Sequence, residues 1–385
     1  MSIFVVMNFP KKLENKLKER NENNSLRSLK TSSKLVDFSS NDYLGFAKSD
    51  SIFHSTHQFL VDKGMKQNGA TGSRLLSGNH LLYSEVESFL SEFHQTESAT
   101  IFNSGYDANI GLFSCIPQRG DIILYDEFIH ASIRDGIQLS NAKSFKFKHN
   151  DLFHLEELIQ RSKNINVSIY VITESVFSMD GDTPDLTLIS EICKKYNAFL
   201  IIDEAHAVGV FKEGLVQKLN LQNAVFARII TFGKALGCHG AAILGSTTLQ
   251  TYLVNFARSF IYTTGLPHHS LATVQMAYNE LRESSDLNQI AKLTDNIYHF
   301  RKEIKKLDLD FISSYSAIHC CVISGNKNVK LISEKLQQKG FDVKAILSPT
   351  VPKNKERLRF CLHSYNSSKQ ISEVLHLLSI FVKQF

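Results

Sequence analysis

The 385 residues are 43% hydrophobic and 21% charged, the composition of an ordinary globular chain long enough for two domains. A net charge of +5 without a dense Lys/Arg stripe argues against a nucleic-acid partner, and no apolar run reaches the length of a membrane span. Six scattered cysteines (Cys115, Cys193, Cys238, Cys320, Cys321 and Cys361) show no C-x-x-C spacing, which favours reduced thiols and a cytoplasmic location over a disulfide scaffold.

Met1–Met7 is apolar but too short for a signal core, and Met7-Asn-Phe-Pro provides a second translation start. Residues 11–30 are polar, with Leu13, Leu17, Leu26 and Leu29, which suggests a helix and an exposed link. Strand-like apolar runs follow at Thr100–Phe102, Asp121–Tyr125, Ser168–Thr173, Phe199–Ile202, Ile229–Thr231 and Ala241–Leu244. Between them lie amphipathic stretches such as Leu152–Arg161 and Leu186–Tyr196. Short Val/Ile/Leu runs separated by helices predict an α/β fold with a large, mostly parallel sheet covered by helices on both faces. Beyond Pro267 the pattern changes to one or two long helices over His268–Leu307, strands at Ile318–Ile323, Phe341–Ile346 and Leu358–Leu362, and helices at Val329–Gly340 and Ser368–Phe385. The expected division is an N-terminal helix and linker over 1–45, a large domain over 46–280, and a smaller α+β domain over 281–385 that packs with the N-terminal segment.

In open α/β sheets, ligands bind beyond the carboxyl ends of the strands. Ser104–Tyr106, His130, Glu174–Ser178, Asp203–His206 and Thr231–Lys234 all follow predicted strands, so five segments should converge on one edge. Asp203 ends an apolar run, and Lys234 sits between Gly233 and Gly237, 31 residues further on. A buried carboxylate requires a cationic partner, and a desolvated lysine becomes a usable nucleophile and base. That combination suits pyridoxal 5'-phosphate: the lysine holds it as a Schiff base and the acid keeps its pyridine nitrogen protonated. Plainer readings exist for each part taken alone. Asp203 could pair with an arginine or cap a helix, Lys234 could be a surface lysine, and His130 and His206 could be structural. Ser104-Gly-Tyr106 opens a helix and could either cap it or hold a phosphate. Gly69–Asn79 is rich in glycine and hydroxyls and could cradle an anion with Arg74, although it is not a P-loop.

Taken together, these segments resemble the α-oxoamine synthases, which condense an amino acid with an acyl thioester on an aminotransferase-like fold. The likeness runs from Asp37-Phe-Ser-Ser-Asn-Asp-Tyr-Leu-Gly45 through Gly69–Asn79, Ser104–Tyr106, Val176–Gly181, Asp203–His206 and Thr231–Lys234 to Arg357-Leu-Arg359. The resemblance implies pyridoxal 5'-phosphate as cofactor, with Lys234 as its covalent anchor and Asp203 on the pyridine nitrogen. It implies His130 stacked on the ring, His206 and Ser178 near the phenolic oxygen, and the phosphate held by Gly105, Tyr106 and Thr231, with Thr264 from a second subunit of a homodimer. Lys234, Asp203, His130 and His206 are the implied catalytic set, and Arg27, Asn41, Thr350 and Arg359 the implied substrate contacts. Within the family, the length and Ser178-Met-Asp-Gly-Asp182 fit members joining L-alanine to pimeloyl-CoA, or to its carrier-protein equivalent, for biotin synthesis. The alternative is the use of glycine with an acetyl thioester. One position departs: Leu347 stands where relatives can carry arginine.

Overall fold

The protein was analysed as a computed structural model that describes residues 9–27, 29, 34–162, 167–283 and 289–384. The Met1–Met7 question lies outside the described residues. Twelve strands occur among the described residues: β1 (Val36–Asp37), β2 (Ser98–Phe102), β3 (Ile122–Asp126), β4 (Lys143–Phe147), β5 (Ile169–Glu174), β6 (Phe199–Asp203), β7 (Ala227–Thr231), β8 (Ala241–Gly245), β9 (Ile318–Val322), β10 (Phe341–Asp342), β11 (Lys344–Ile346) and β12 (Arg357–Cys361).

Seven of them form one sheet in the order β2-β8-β7-β6-β5-β3-β4. The β4/β3/β5/β6/β7 pairings are parallel, and only β8 runs antiparallel, against both β2 and β7. Burial on two faces explains the unbroken apolar runs. Ile123, Ile172, Ile201 and Ile229 join one core, whereas Leu124, Val171, Leu200 and Ile202 join the core on the opposite face. The predicted mostly parallel sheet is therefore present. Sequence inspection missed β4, whose first four residues are exposed at the sheet edge. Its lysines blunt that edge, and for the same reason it lacks the apolar signature of a buried strand.

Two helices, Gly105–Cys115 and Ala131–Leu139, pack closely at the carboxyl end of the sheet. Gly136 permits this approach, because a Cβ there would lie 2.8 Å from the Asn109 carbonyl and 2.9 Å from the Phe113 Cβ. Each helix is capped by a residue facing the site: the Ser104 side chain accepts from Asp107 N–H, and the His130 side chain accepts from Ser132 N–H.

The C-terminal strands form a separate antiparallel sheet, β11-β12-β9, backed by the helices Asn326–Gln338, Gln289–Ile304 and Ser368–Val382. The single strand expected over Phe341–Ile346 divides at the fully buried Val343. Its first half, β10, pairs in parallel with β1, and its second half, β11, pairs with β12. The N-terminal chain is thereby tied to the C-terminal elements, and Cys361 N–H donates to the Phe38 carbonyl at 2.8 Å. That tie brings Asn41 and Tyr43 over the edge of the large sheet. No helix among the described residues is long and apolar enough to cross a membrane.

Beneath the sheet edge lies a buried ion pair, Arg228 with Glu204, 2.6 Å apart. Arg228 also donates to the carbonyls of His94 and Glu213, and Glu204 accepts from Val216 N–H. Removing one partner leaves the other charge uncompensated. Glu204→Ala should destabilise the fold by about 3–5 kcal/mol in urea unfolding, whereas the apolar double variant Glu204→Leu/Arg228→Met should lose less than the single one.

Candidate active site

Strand ends bring the predicted groups to one place. Asp203 closes β6, Glu174 closes β5, Thr231 closes β7, and Lys234 lies in the tight loop between β7 and β8. That loop is held from behind: Gly237 has φ +62°, and a Cβ on it would come within 2.1 Å of Ala47 N. Gly105, Tyr106, His130, Asp203, His206, Thr231 and Lys234 surround one cavity of about 190 Å³, which Asn109, Ser132 and Glu174 also line. Seven sequence-predicted residues thus share one site.

The cavity is polarised. Asp203 is buried, its carboxylate accepting from Ala205 N–H at 2.9 Å and from Asn109 Nδ2 at 3.1 Å, with no cation paired to it among the described residues. Asn109 also donates to Ser132 Oγ, whose backbone N–H donates to His130 Nδ1. One chain of bonds therefore orients both the acid and the histidine. His130 N–H donates to Glu174 at 2.5 Å. Burial, reinforced by the Asp203 charge, pushes Glu174 above the usual carboxylate range. Burial pulls Lys234 down to about 8, against the opposing pull of Asp203 and Glu174. His206 is held well below 6.5 by burial and by the nearby Lys234 and Arg359, so its ring is neutral.

At the opposite wall, the Gly105–Cys115 helix points its N-terminus at the cavity, and the Gly105 and Tyr106 N–H groups have no hydrogen-bond partner among the described residues. Thr231 Oγ1 stands 3.7 Å from where a Gly105 Cβ would be. This wall suits a phosphate. An unpaired buried acid, a lysine of lowered basicity and an open helix N-terminus around one small cavity fit pyridoxal 5'-phosphate.

The other predicted residues lie around this centre. Ser178, Arg27 and Thr350 line a second, outer cavity of about 410 Å³, which shares His130 with the inner one. Arg359 and Asn41 line neither cavity; they bond to each other at 3.0 Å, and Arg359 Nε donates to the Ser178 carbonyl at 2.8 Å. Thr264 is exposed and does not line its own chain's inner cavity, its carbonyl accepting from Asn103 at 2.6 Å. Leu347 packs on the apolar core. Arg74, offered by its loop as an anion ligand, is already engaged with both Glu87 oxygens, at 2.5 and 3.0 Å, and lies over the Tyr83 ring.

Asn109 and Tyr43 were missed as site residues, and Glu174, whose segment was expected at this edge, was given no role of its own. Glu174 had a signal, since it ends a predicted strand as Asp203 does. Asn109 and Tyr43 carried none beyond their motifs. His149 was missed as well. Its Nδ1 meets Asp126 at 2.9 Å, its Nε2 meets Asp182 at 2.8 Å, and its ring stacks on Phe128. It clamps the end of β3, which leads to His130, against the turn that carries Ser178. His149, Asp180 and Asp182 are close enough to hold a metal ion. However, both His149 nitrogens already face carboxylates and Asp180 is paired with Arg357, so the cluster reads as an ion-pair network.

The fold and site are those of a cofactor-dependent transferase. The chain belongs to the class I and II aminotransferase family, whose model matches residues 33–378. A protein of Emericella nidulans named 8-amino-7-oxononanoate synthase is 38% identical over 369 residues, covering 91% of this chain and 90% of that protein. The crystal structure of 8-amino-7-oxononanoate synthase from Francisella tularensis superimposes with a TM-score of 0.77 at 28% identity, covering 91% of this chain and 98% of that one. Serine palmitoyltransferase from S. paucimobilis, solved with PLP and myriocin, shares the fold at a TM-score of 0.87 and 22% identity, covering 97% of each chain. The kinship read from the motifs is borne out.

Two outcomes are expected. Lys234 in the cofactor-free chain should react with an amine-selective reagent with a midpoint near pH 8 rather than 10.5, since only the neutral amine attacks; peptide mapping across a pH series measures this. Burial opposes a charge on His149, but hydrogen bonds to Asp126 and Asp182 override it and raise its pKa from 6.5 to about 9. Its stabilisation is therefore full below pH 6.5 and lost as the pH rises through about 9. Thermal melts should show wild type losing its advantage over His149→Asn across that interval, and parallel curves would exclude the clamp.

Proposed function

We propose that this chain catalyses the decarboxylative condensation of L-alanine with pimeloyl-CoA or pimeloyl carrier protein, giving 8-amino-7-oxononanoate, CO₂ and free thiol in biotin biosynthesis. The observation that carries the proposal is the convergence of Lys234, Asp203 and an open helix N-terminus on one cavity, in a chain 38% identical to a named 8-amino-7-oxononanoate synthase. Pyridoxal 5'-phosphate, when bound, supplies an electron sink for the α-carbon of the amino acid.

The chain's own residues do the rest. Asp203, oriented by Asn109 and Ala205 N–H, presents a fixed negative charge to the pyridine nitrogen. The Gly105 and Tyr106 N–H groups with the Thr231 hydroxyl receive the phosphate, and Thr264 serves the site of a second copy in a homodimer. Lys234 anchors the cofactor and, once displaced, removes the α-proton, a task suited to an amine whose pKa lies near neutrality. His130, at the junction of the two cavities, positions the cofactor ring, and neutral His206 and Ser178 stand near its phenolic oxygen. Arg359 and Asn41 receive the amino-acid carboxylate. Arg27 and Thr350 meet the acyl thioester in the outer cavity, which is large enough to keep the acyl chain apart from the reacting centre. The reading carries with it a cytoplasmic enzyme, and the division into segments 1–45, 46–280 and 281–385.

The deciding experiment incubates the chain with pyridoxal 5'-phosphate, L-alanine and pimeloyl-CoA and identifies the product by mass, with glycine and acetyl-CoA in parallel. Turnover of the second pair alone would overturn the substrate assignment in favour of a glycine C-acetyltransferase. Lys234→Ala should lower kcat by about a thousandfold or more, and borohydride reduction of the wild type should leave its pyridoxyl label on the Lys234 peptide.

A further inference from the structure

The outer cavity carries more positive charge than Arg27 alone supplies. Five ionisable residues line it: Arg27, His130, Arg134, Asp180 and Arg357. Asp180 and Arg357 are paired, so their charges cancel. Burial, reinforced by the charge of Lys234, lowers His130 below its ordinary value, and its ring is neutral near neutral pH. Arg27 and Arg134 remain, neither in a salt bridge among the described residues.

Local structure gives no reason for an arginine at 134. It is the fourth residue of the Ala131–Leu139 helix, near the positive end, where a cation is disfavoured. Acids close to it in the chain are turned elsewhere. Asp135 accepts from the Tyr106 hydroxyl at 2.7 Å, and the Glu127 carboxylate accepts from His149 N–H at 3.1 Å and faces Lys146. The guanidinium is nevertheless held in place, because its Nη2 donates to the Glu127 carbonyl. That bond uses one of its five N–H groups. The other four have no hydrogen-bond partner among the described residues, on an exposed side chain that lines the cavity. A tethered fork loses less freedom when it meets an anion than a free one does.

Helix residues four apart share a face, so Arg134 stands one turn along the wall from His130, which joins the outer cavity to the inner one. Arg27 is placed differently. With Leu26, Leu347 and Thr350 it also lines a neighbouring cavity of about 210 Å³, which Arg134 does not reach. Much of the remaining lining of the outer cavity is apolar, with Phe128, Ile129, Met179 and Val351. Apolar walls with two separate guanidinium groups fit a donor that joins a methylene chain to anionic groups. The far carboxylate of a dicarboxylic acyl chain and the phosphates of its carrier both present paired oxygens that match the fork.

We propose that Arg134 is a specificity-determining residue that takes a carboxylate or phosphate group of the acyl donor on the His130 side of the outer cavity. The inference rests on the reading of that cavity as the acyl-thioester site, and it adds an anion contact that Arg27 and Thr350 do not provide.

Without an amino acid the donor cannot condense, so calorimetry measures its binding to the full-length, cofactor-loaded protein. Arg134→Gln, an exposed change to a good helix former, should weaken pimeloyl-CoA binding about tenfold at low salt. Its affinity for L-alanine should change less than about twofold. The loss should shrink as salt is raised, because exposed charges are screened, and Arg134→Lys should recover part of it. Heptanoyl-CoA, which lacks the terminal carboxylate, separates the two sources. If Arg134→Gln weakens it as much as pimeloyl-CoA, the group is a phosphate of the carrier; if heptanoyl-CoA is unaffected, the group is the carboxylate. An Arg134→Gln protein that binds both thioesters as wild type does would overturn the assignment. So would a loss that is independent of salt and not relieved by Arg134→Lys, since that marks a shape contact rather than a charge. Wild type binding neither thioester would refute the acyl reading of the cavity, and the assignment with it. Whether alanine and pimeloyl-CoA condense is read separately from product mass, so failure of the substrate assignment is distinguishable from failure of the Arg134 contact.

Discussion

Three ionisable groups, Asp203, Glu174 and Lys234, are held together out of bulk water at the carboxyl edge of one sheet. Two come from the last residues of adjacent strands and the third from the next strand's exit loop. Burial, reinforced by the neighbouring Asp203, disfavours charge on Glu174, while burial lowers the basicity of Lys234 against the pull of both acids. The result is an amine whose protonation is easily changed beside an acid fixed by two hydrogen bonds. Everything else in the large sheet serves this arrangement. Parallel register places Glu174 opposite Asp203, and Gly237 and Gly136 allow the loop and the helix to close on it without a Cβ in the way.

A buried acid next to a lysine would ordinarily settle into a salt bridge. Here the fold withholds that pairing: each Asp203 oxygen accepts from one neutral donor, Asn109 or Ala205 N–H, and no ion pair joins it to Lys234 among the described residues. Arg228, on the neighbouring strand, is paired with Glu204. The adjacent acidic residues Asp203 and Glu204 therefore do opposite work: one closes a structural pair beneath the sheet and the other faces the cavity above it. Which does which follows from alternation along the strand.

That division was only half legible in the sequence. Asp203 and Lys234 stood out because each ends an apolar run, and burial turns an ionisable residue in such a place into a statement about chemistry. Glu174 has the same pattern, but it lay inside a longer motif and was not singled out. Arg74 looked like an anion ligand from composition alone. Its charge is consumed by Glu87, thirteen positions away, a pairing that no local pattern announces. The exposed strand β4 and the break at Val343 escaped for the converse reason, since edge strands and sheet changes leave no apolar periodicity to read. Tyr43 meets His206, and His149 meets Asp126 and Asp182, only because the folded chain brings together residues distant in sequence.

The proposed substrate contacts come from two parts of the chain. The Asn41–Tyr43 segment arrives from the N-terminal side and Arg359 from β12, and they meet because β1 pairs with β10 and Phe38 with Cys361. Arg359 is a poor candidate for a purely structural cation: it is buried, it forms no salt bridge among the described residues, and it donates only to neutral oxygens. Arg357, two residues away on the same face of β12, is paired with Asp180 and so is closed to a ligand. One strand thus offers one neutralised and one available guanidinium, and the available one is connected through Asn41 and Tyr43 to a histidine of the cofactor cavity. With Leu347 contributing only apolar contact, the cationic side chains left facing the outer cavity are Arg27 and Arg134, neither in a salt bridge among the described residues. Under the proposed function, amino-acid recognition would belong to the buried framework and acyl recognition to exposed residues at its rim. The first should resist sequence change more strongly than the second, because altering Arg359 or Tyr43 disturbs buried packing and hydrogen bonding together, whereas an exposed rim arginine takes with it only a charge and, at Arg134, a bond to the Glu127 carbonyl.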